Sequence, residues 1–349
     1  AEKGQLGMVH TVPQGFSPGS DVANMGILGY DPKLYYTGRG PIEAASLGLS
    51  IPNGKIVFRC NLVTIENNIM KDFTADHIST EEGRELLNML NEECGEPSEF
   101  YPGVSYRHIL LHDQSTLDVK TTAPHDITDK DIGPHLPSGP HAKPLLDLMA
   151  DCHKLLSKTS SKANWIWPWS QGHMPHFPNF TTQYGHTGGI VTAVDLLKGI
   201  GQLAGLETPD IPGATGFIDT DYKAKLAAAF SILENHSFVY IHIEAPDEAG
   251  HMGDAKLKTK AIEDFDKQIV SPVLDYIKSN PDTHVMVLPD HPTPCTIKTH
   301  LHAPVPVAIY YPGISPDRPT MYNESDAQNG SLAFDTPWDL LTYFLDISS

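Results

Sequence analysis

Three segments of the second half of the chain carry side chains able to hold a cation. IEAPDEAGHMGD contains Asp247 and His251 four residues apart, a spacing that puts both on one face if a helical turn starts there. PDHPTP contains Asp290 and His291 side by side. Adjacent side chains of an extended segment diverge, so this pair serves two neighbouring ions more naturally than one. KTHLHAPVPVAIY adds His300 and His302. Mixed carboxylate and imidazole ligands suit Mn, Zn, Fe or Co better than an all-oxygen calcium site. Any single one of the 18 histidines is more often a surface or satisfied core residue. In combination, Asp-x-x-x-His, Asp-His and a further His favour a metal site, although spacing alone names no reaction.

A two-metal site can make a hydroxyl nucleophilic, because the ions' charge favours the alkoxide. Ser20 in PGSDVAN is the candidate, and a helix starting there would offer backbone N–H groups to a phosphate. The plainer alternative is that Ser20 only caps that helix, with Ser20 or Asp21 near the cap. A phosphate also needs cations nearby. Arg39 in YYTGRGPIEA, Arg59 and Arg107 in strand-like runs, and Lys198 in AVDLLKGIG are available, each with the competing role of a surface charge or salt-bridge partner.

The elements that would position these groups are legible as alternating texture. FVYIHIEA and HVMVLPD are apolar runs that end in the Asp/His clusters, and the ends of parallel strands are where open α/β sheets place their sites. GGIVTAVDLLKGIGQLAG, KLAAAFSILEN, LKTKAIEDFDKQIVSPVLDYIKS and a last helix TPWDLLTYFLDI supply the helices of a doubly wound sheet. GQLGMVHTV reads as a short apolar strand. From Lys55 the texture becomes α+β, with strand-like IVFRCNLVTI, YRHILLHD and LDVKTT and helical STEEGRELLNMLNEE and LLDLMADCHKLLSKT. NWIWPWSQGHMPHFP reads as an aromatic, proline-rich crossing at a domain border. The expected division is 1–54 with 164–349 as one α/β domain and 55–163 as a smaller insert.

Composition limits the partners. With 24 Lys and Arg against 43 Asp and Glu, the formal charge of −19 repels nucleic acid and anionic membranes. It would also repel a phosphorylated metabolite unless ions or arginines reverse the field locally. Four cysteines without a CxxC pair, no span-length apolar run and no signal-like opening fit reduced thiols in the cytoplasm.

PGSDVANMGILGYDP, YYTGRGPIEA, FRCNLVT, HDIT, NWIWPW, AVDLLKGIG, PGATG, IEAPDEAGHMGD and PDHPTP together resemble motifs of the archaeal-type, cofactor-independent phosphoglycerate mutases of the alkaline phosphatase superfamily. The resemblance covers nearly the whole chain. It implies an alkaline-phosphatase-like domain with an inserted substrate-binding α+β domain, two divalent ions (Mn, Zn, Mg or Co) and no 2,3-bisphosphoglycerate. Ser20 aligns with the nucleophile. Asp247, His251 and His300 would ligate one ion, and Asp290, His291 and Ser20 the other; His300 fits the THxxxPVP pattern better than His302. Arg39, Arg59, Arg107, His125 and Asp126 would hold the glycerate carboxylate and hydroxyls, with Lys198 near the transferring phosphate. The implied reaction moves a phosphoryl group from 3-phosphoglycerate to Ser20 and back to the 2-hydroxyl, within a cleft that the insert closes against water.

The family also carries a metal-binding Asp at the end of a first strand, upstream of residue 1 of this sequence. Without that ligand the second ion's site would be incomplete, and a metal-binding relic is the expectation opposed to catalysis. Within enzymes the rival is a phosphatase with the same metal and serine chemistry. Gly26, where relatives are expected to carry Ser, and His173, His176 and His186 are lesser departures.

Overall fold

A computed structural model describes residues 2–318 and 321–346. Ile347, the expected end of the last helix, lies outside them. The chain forms two compact units, 1–36 with 177–349, and 37–176. In chain order the strands are β1 Gln5–Val9, β2 Lys55–Glu66, β3 Ile69–Asp72, β4 Glu99–Tyr101, β5 Arg107–Asp113 and β6 Trp165–Gly172. They continue with β7 Gly188–Val191, β8 Phe238–Ile241, β9 Val285–Val287, β10 Val305–Tyr310 and β11 Leu332–Phe334.

The first unit is mixed α/β. One sheet has the order β11-β1-β10-β9, with β1 parallel to β11 and antiparallel to β10, and β9 antiparallel to β10. Among the described residues β7 and β8 form a separate parallel pair. The strands expected in one doubly wound parallel sheet thus pair as two separate sheets, one of them mixed. β8 and β9 both border a cavity of about 750 Å³ lined by apolar side chains that include Phe230, Val239, Ile241, Val273, Val285 and Phe344. The helix Ala245–Met252 follows β8, and the Asp290–His291 turn follows β9, so both Asp/His clusters do begin where a strand ends.

The second unit is antiparallel, in the order β3-β2-β5-β4 with β6 also on β2. Every residue of β2 from Ile56 to Ile65 is buried: helices Thr80–Cys94 and Lys143–Leu156 contribute Leu87, Leu90, Leu145 and Met149 to the same core as Phe58, Leu62 and Trp167, and Val57 on the other face packs with Ala44 of the helix Arg39–Ser46. The 80–94 helix starts at Ser79, whose Oγ accepts the Glu82 N–H at 3.1 Å.

Three expectations change here. Most of NWIWPWSQGHMPHFP is a strand and not a crossing: Trp165–Gly172 is β6, with Cys60 opposite Pro168, an edge strand tolerates a proline that cannot donate to a ladder, and only the remainder of the segment contains the boundary between the units. LDVKTT forms no strand; a 3₁₀ turn at Gln114–Thr116 precedes it and Lys120 makes only an isolated bridge to Ser138. The units divide at 36/37 and 176/177 instead of 54/55 and 163/164. Residues 37–54 go with the second unit because helix Arg39–Ser46 lies on β2: a Cβ at Gly40 would come within 2.5 Å of the Arg59 amide nitrogen.

This unit also contains a pH-sensitive group. His108 on β5 is 2% exposed and its Nε2 has no hydrogen-bond partner. Burial, reinforced by Arg59 and Arg107, pushes its pKa down to about 3. An unfolded chain keeps His near 6.5. Between those values only the unfolded state binds the proton, so stability falls as pH drops, by up to about 1.4 kcal/mol per pH unit. Urea midpoints followed from pH 7 to pH 4 should fall more steeply for the parent than for His108→Gln; parallel curves would contradict this assignment.

Candidate active site

Ser20 opens the helix Ser20–Ile27, but it is not the cap. Gly19 occupies that position in extended conformation, and of the two residues expected near the cap it is Asp21, not Ser20, whose side chain accepts a first-turn N–H, from Val22 at 2.9 Å. Ser20 Oγ instead lies 3.0 Å from His291 Nε2. The first turn of a helix beside it leaves backbone N–H groups available to an anion.

Asp247 and His251 lie on helix Ala245–Met252, where Pro246 fits the first turn and Asp247 is favoured by the helix dipole. His251 Nε2 is 3.3 Å from Asp247 Oδ2, and His300 Nε2 is 3.5 Å from Asp247 Oδ1. The two imidazole Nε2 atoms are 2.9 Å apart. Donor atoms of Asp247, His291 and His300 all fall within 4.8 Å of one another. His291 thus joins the group that the resemblance assigned to Asp247, His251 and His300. Ligand atoms around one tetrahedral ion at about 2.0–2.1 Å stand roughly 3.3 Å apart, so this donor set has the chemistry and the spacing to hold a divalent cation.

The electrostatics follow from the crowding. Burial raises the pKa of Asp247, but hydrogen bonds from His251, His300 and Thr293 outweigh it and hold the carboxyl well below its usual range. The Asp247 hydrogen bond in turn lifts His251 to about 9. Burial pushes His291, 5% exposed, down from its ordinary value.

Asp290 is oriented by a residue that sequence reasoning missed. Asn24 is fully buried; its Nδ2 donates to Asp290 Oδ2 at 2.9 Å and to the Ser20 carbonyl at 2.9 Å, and its Oδ1 accepts from Tyr240 at 2.6 Å. Thr293 was also missed; its hydroxyl donates to Asp247 Oδ1 and lies 3.3 Å from His291 Nδ1. The available signals were position four after Ser20 on a helix, and position two after His291. His302 points elsewhere, with Nε2 3.3 Å from the Pro13 carbonyl.

Lys198, also in the first unit, pairs with Asp210 at 2.6 Å. Gly26 is explained by packing, because a Cβ there would come within 2.8 Å of Pro337 and a serine would not fit. His173 and His176 are exposed, and His186 meets the Ser237 hydroxyl at 3.0 Å.

In the second unit, Arg39 and Arg59 converge on Glu43, and Arg59 lies 5.1 Å from the Trp169 ring. Arg107 is exposed and lies over Tyr106. His125 and Asp126 are exposed neighbours 3.8 Å apart, and the His125 ring packs on Trp169.

Residues 1–161 match the family model for 2,3-bisphosphoglycerate-independent phosphoglycerate mutase. The protein of that name from Methanosarcina acetivorans is 44% identical over 98% of this chain and 89% of its own length. The chain belongs to this mutase family. The Methanopyrus kandleri mutase is 32% identical over all of this chain and 88% of its own length. Among solved structures, a Pyrococcus horikoshii protein gives a TM-score of 0.81 at 26% identity, covering 99% of this chain and 87% of that one. The cofactor-independent mutase of Thermoplasma acidophilum gives 0.63 at 25% identity, covering 100% and 90%. The mixed α/β architecture with several sheets is thus the one this mutase family uses. No described helix is long and apolar enough to cross a membrane.

Proposed function

We propose that the chain interconverts 3-phosphoglycerate and 2-phosphoglycerate, an isomerase step of glycolysis and gluconeogenesis, through a phosphoserine on Ser20, in an alkaline-phosphatase-like fold with an inserted substrate-binding unit. The observation that carries the reading is the juxtaposition of Ser20 Oγ with His291 Nε2 at 3.0 Å, beside the Asp247, His251 and His300 donor set. Two divalent ions would be held by Asp247, His251 and His300 and by Ser20, Asp290 and His291. When bound, they supply positive charge that favours the serine alkoxide and offsets the charge of the phosphoryl group.

The residues of the chain do the rest. Ser20 Oγ attacks phosphorus, the bond to the 3-hydroxyl oxygen breaks, and that oxygen is protonated as glycerate forms. The 2-hydroxyl then attacks phosphoserine, loses its proton and restores the Ser20 hydroxyl. Asn24 steadies both partners through the Ser20 carbonyl and the Asp290 carboxylate. Arg39, Arg59 and Arg107, with His125 and Asp126, engage the carboxylate and hydroxyls of glycerate, and Lys198 attends the phosphate. Bidentate guanidinium contacts suit that planar, anionic ligand.

A linked assay with added Mn and no 2,3-bisphosphoglycerate should show 2-phosphoglycerate forming from 3-phosphoglycerate, with inorganic phosphate release far slower. Phosphate release at the same rate would make the protein a phosphatase instead. Fewer than two ions per chain, with neither product, would leave the metal-binding relic.

A further inference from the structure

We propose that Glu43 is a positioning residue for anion recognition: it gathers the Arg39 and Arg59 guanidinium groups so that the second unit presents them together to a carboxylate. The inference rests on the reading of phosphoglycerate as substrate.

Glu43 lies in the helix Arg39–Ser46 and is 9% exposed. A single oxygen, Oε1, accepts from Arg39 Nε at 2.7 Å and from Arg59 Nη1 at 2.5 Å. The first contact is an i,i+4 pair within the helix, and the second reaches across to β2. Gly40 permits that reach, since only a residue without a Cβ lets the helix sit against the Arg59 backbone.

A bridge serving stability alone would balance one buried carboxylate with one cation. Here two guanidinium groups share one carboxylate, and the field of Arg107 reaches Glu43 and Arg59 as well. Arg59 is 5% exposed, and its Nε is buried without a hydrogen-bond partner. A buried donor such as the Arg59 Nε is costly unless a ligand's oxygen answers it. Arg39, about one third exposed, gives the cluster access to solvent. Burial alone would raise the Glu43 pKa, but Arg59 and Arg39 outweigh it and keep the carboxyl ionised, so it holds both cations at neutral pH. The ligand class is the carboxylate of a small phosphorylated hydroxy acid, which a planar guanidinium pair matches better than a point charge does.

The test is 3-phosphoglycerate binding measured by calorimetry in a Ser20→Ala background, with steady-state kinetics alongside where Ser20 is intact. Glu43→Gln keeps the shape and removes the charge. It should weaken binding and raise KM by about 10- to 100-fold with kcat changed by no more than about threefold, because uniform binding and not the transition state is affected. Glu43→Asp should recover part of the loss. Arg39→Lys, which keeps the charge but loses the Nε contact, should weaken binding similarly and covers the case in which Glu43→Gln does not fold. If the parent binds 3-phosphoglycerate and folded Glu43→Gln or Arg39→Lys binds it equally well, the positioning role is overturned while the mutase reading stands. If the parent neither binds nor isomerises it, both fall.

Discussion

Ser20→Ala is expected to reduce 3-phosphoglycerate isomerisation by roughly 10⁴-fold or more while leaving the fold intact, the scale seen when an enzyme's covalent nucleophile is removed. The fold should survive because Ser20 caps nothing: Gly19 holds the cap and the Ser20 hydroxyl contacts His291, so no helix-stabilising bond disappears with it. Backbone donors and the Asp247 cluster remain, so substrate and the ion assigned to Asp247, His251 and His300 should still bind. Two measurements check this. The linked assay gives the rate, and mass spectrometry of protein quenched with 3-phosphoglycerate gives phosphoserine at position 20 in the parent and none in the variant. Activity within tenfold of the parent, or phosphate on another residue, would remove Ser20 from the role.

Asp247→Asn should cost nearly as much by a different route. Asp247 receives the Thr293 hydroxyl and stands 3.3 Å from His251 and 3.5 Å from His300, so its two oxygens organise the whole donor set. An amide keeps the size but loses the negative charge that would hold a divalent ion. Bound metal per chain, measured by elemental analysis after dialysis, should fall by at least one ion. Activity should fall by roughly 10³-fold or more, as expected when metal-derived charge stabilisation is lost. Chelator treatment should mimic the variant in the parent, and added Mn should rescue only the parent. Full metal content in Asp247→Asn would refute Asp247 as a ligand.

Much of this was visible before any coordinates. Asp247 and His251 read as one helical face, and they share the helix Ala245–Met252. FVYIHIEA, HVMVLPD and VPVAIY read as strands, and each contains one, shorter than expected in the first two: FVYI, VMV and VPVAIY. What escaped depends on contacts remote in sequence. Asn24 matters because Asp290, 266 positions away, needs a donor and because Tyr240, 216 positions away, fixes its amide. Glu43 drew no attention in the sequence, because only the packing of β2 brings Arg59 onto the same oxygen as Arg39. WIWPW was misread because proline argues against a central strand, and only its edge position on β2 makes it admissible. LDVKTT has strand-like composition, but its backbone is used in a turn and a lone bridge.

The pairing of β1 with β10 and β11 has a consequence for how the protein is made. Gln5–Val9 must wait for Val305–Tyr310 and Leu332–Phe334, more than 290 residues downstream. At roughly 5–20 residues per second, a ribosome takes on the order of a quarter-minute to a minute to deliver those partners. The unit 37–176 is continuous and can acquire its core during that interval, whereas β1 stays without its partner strands until residues 305–334 have been made.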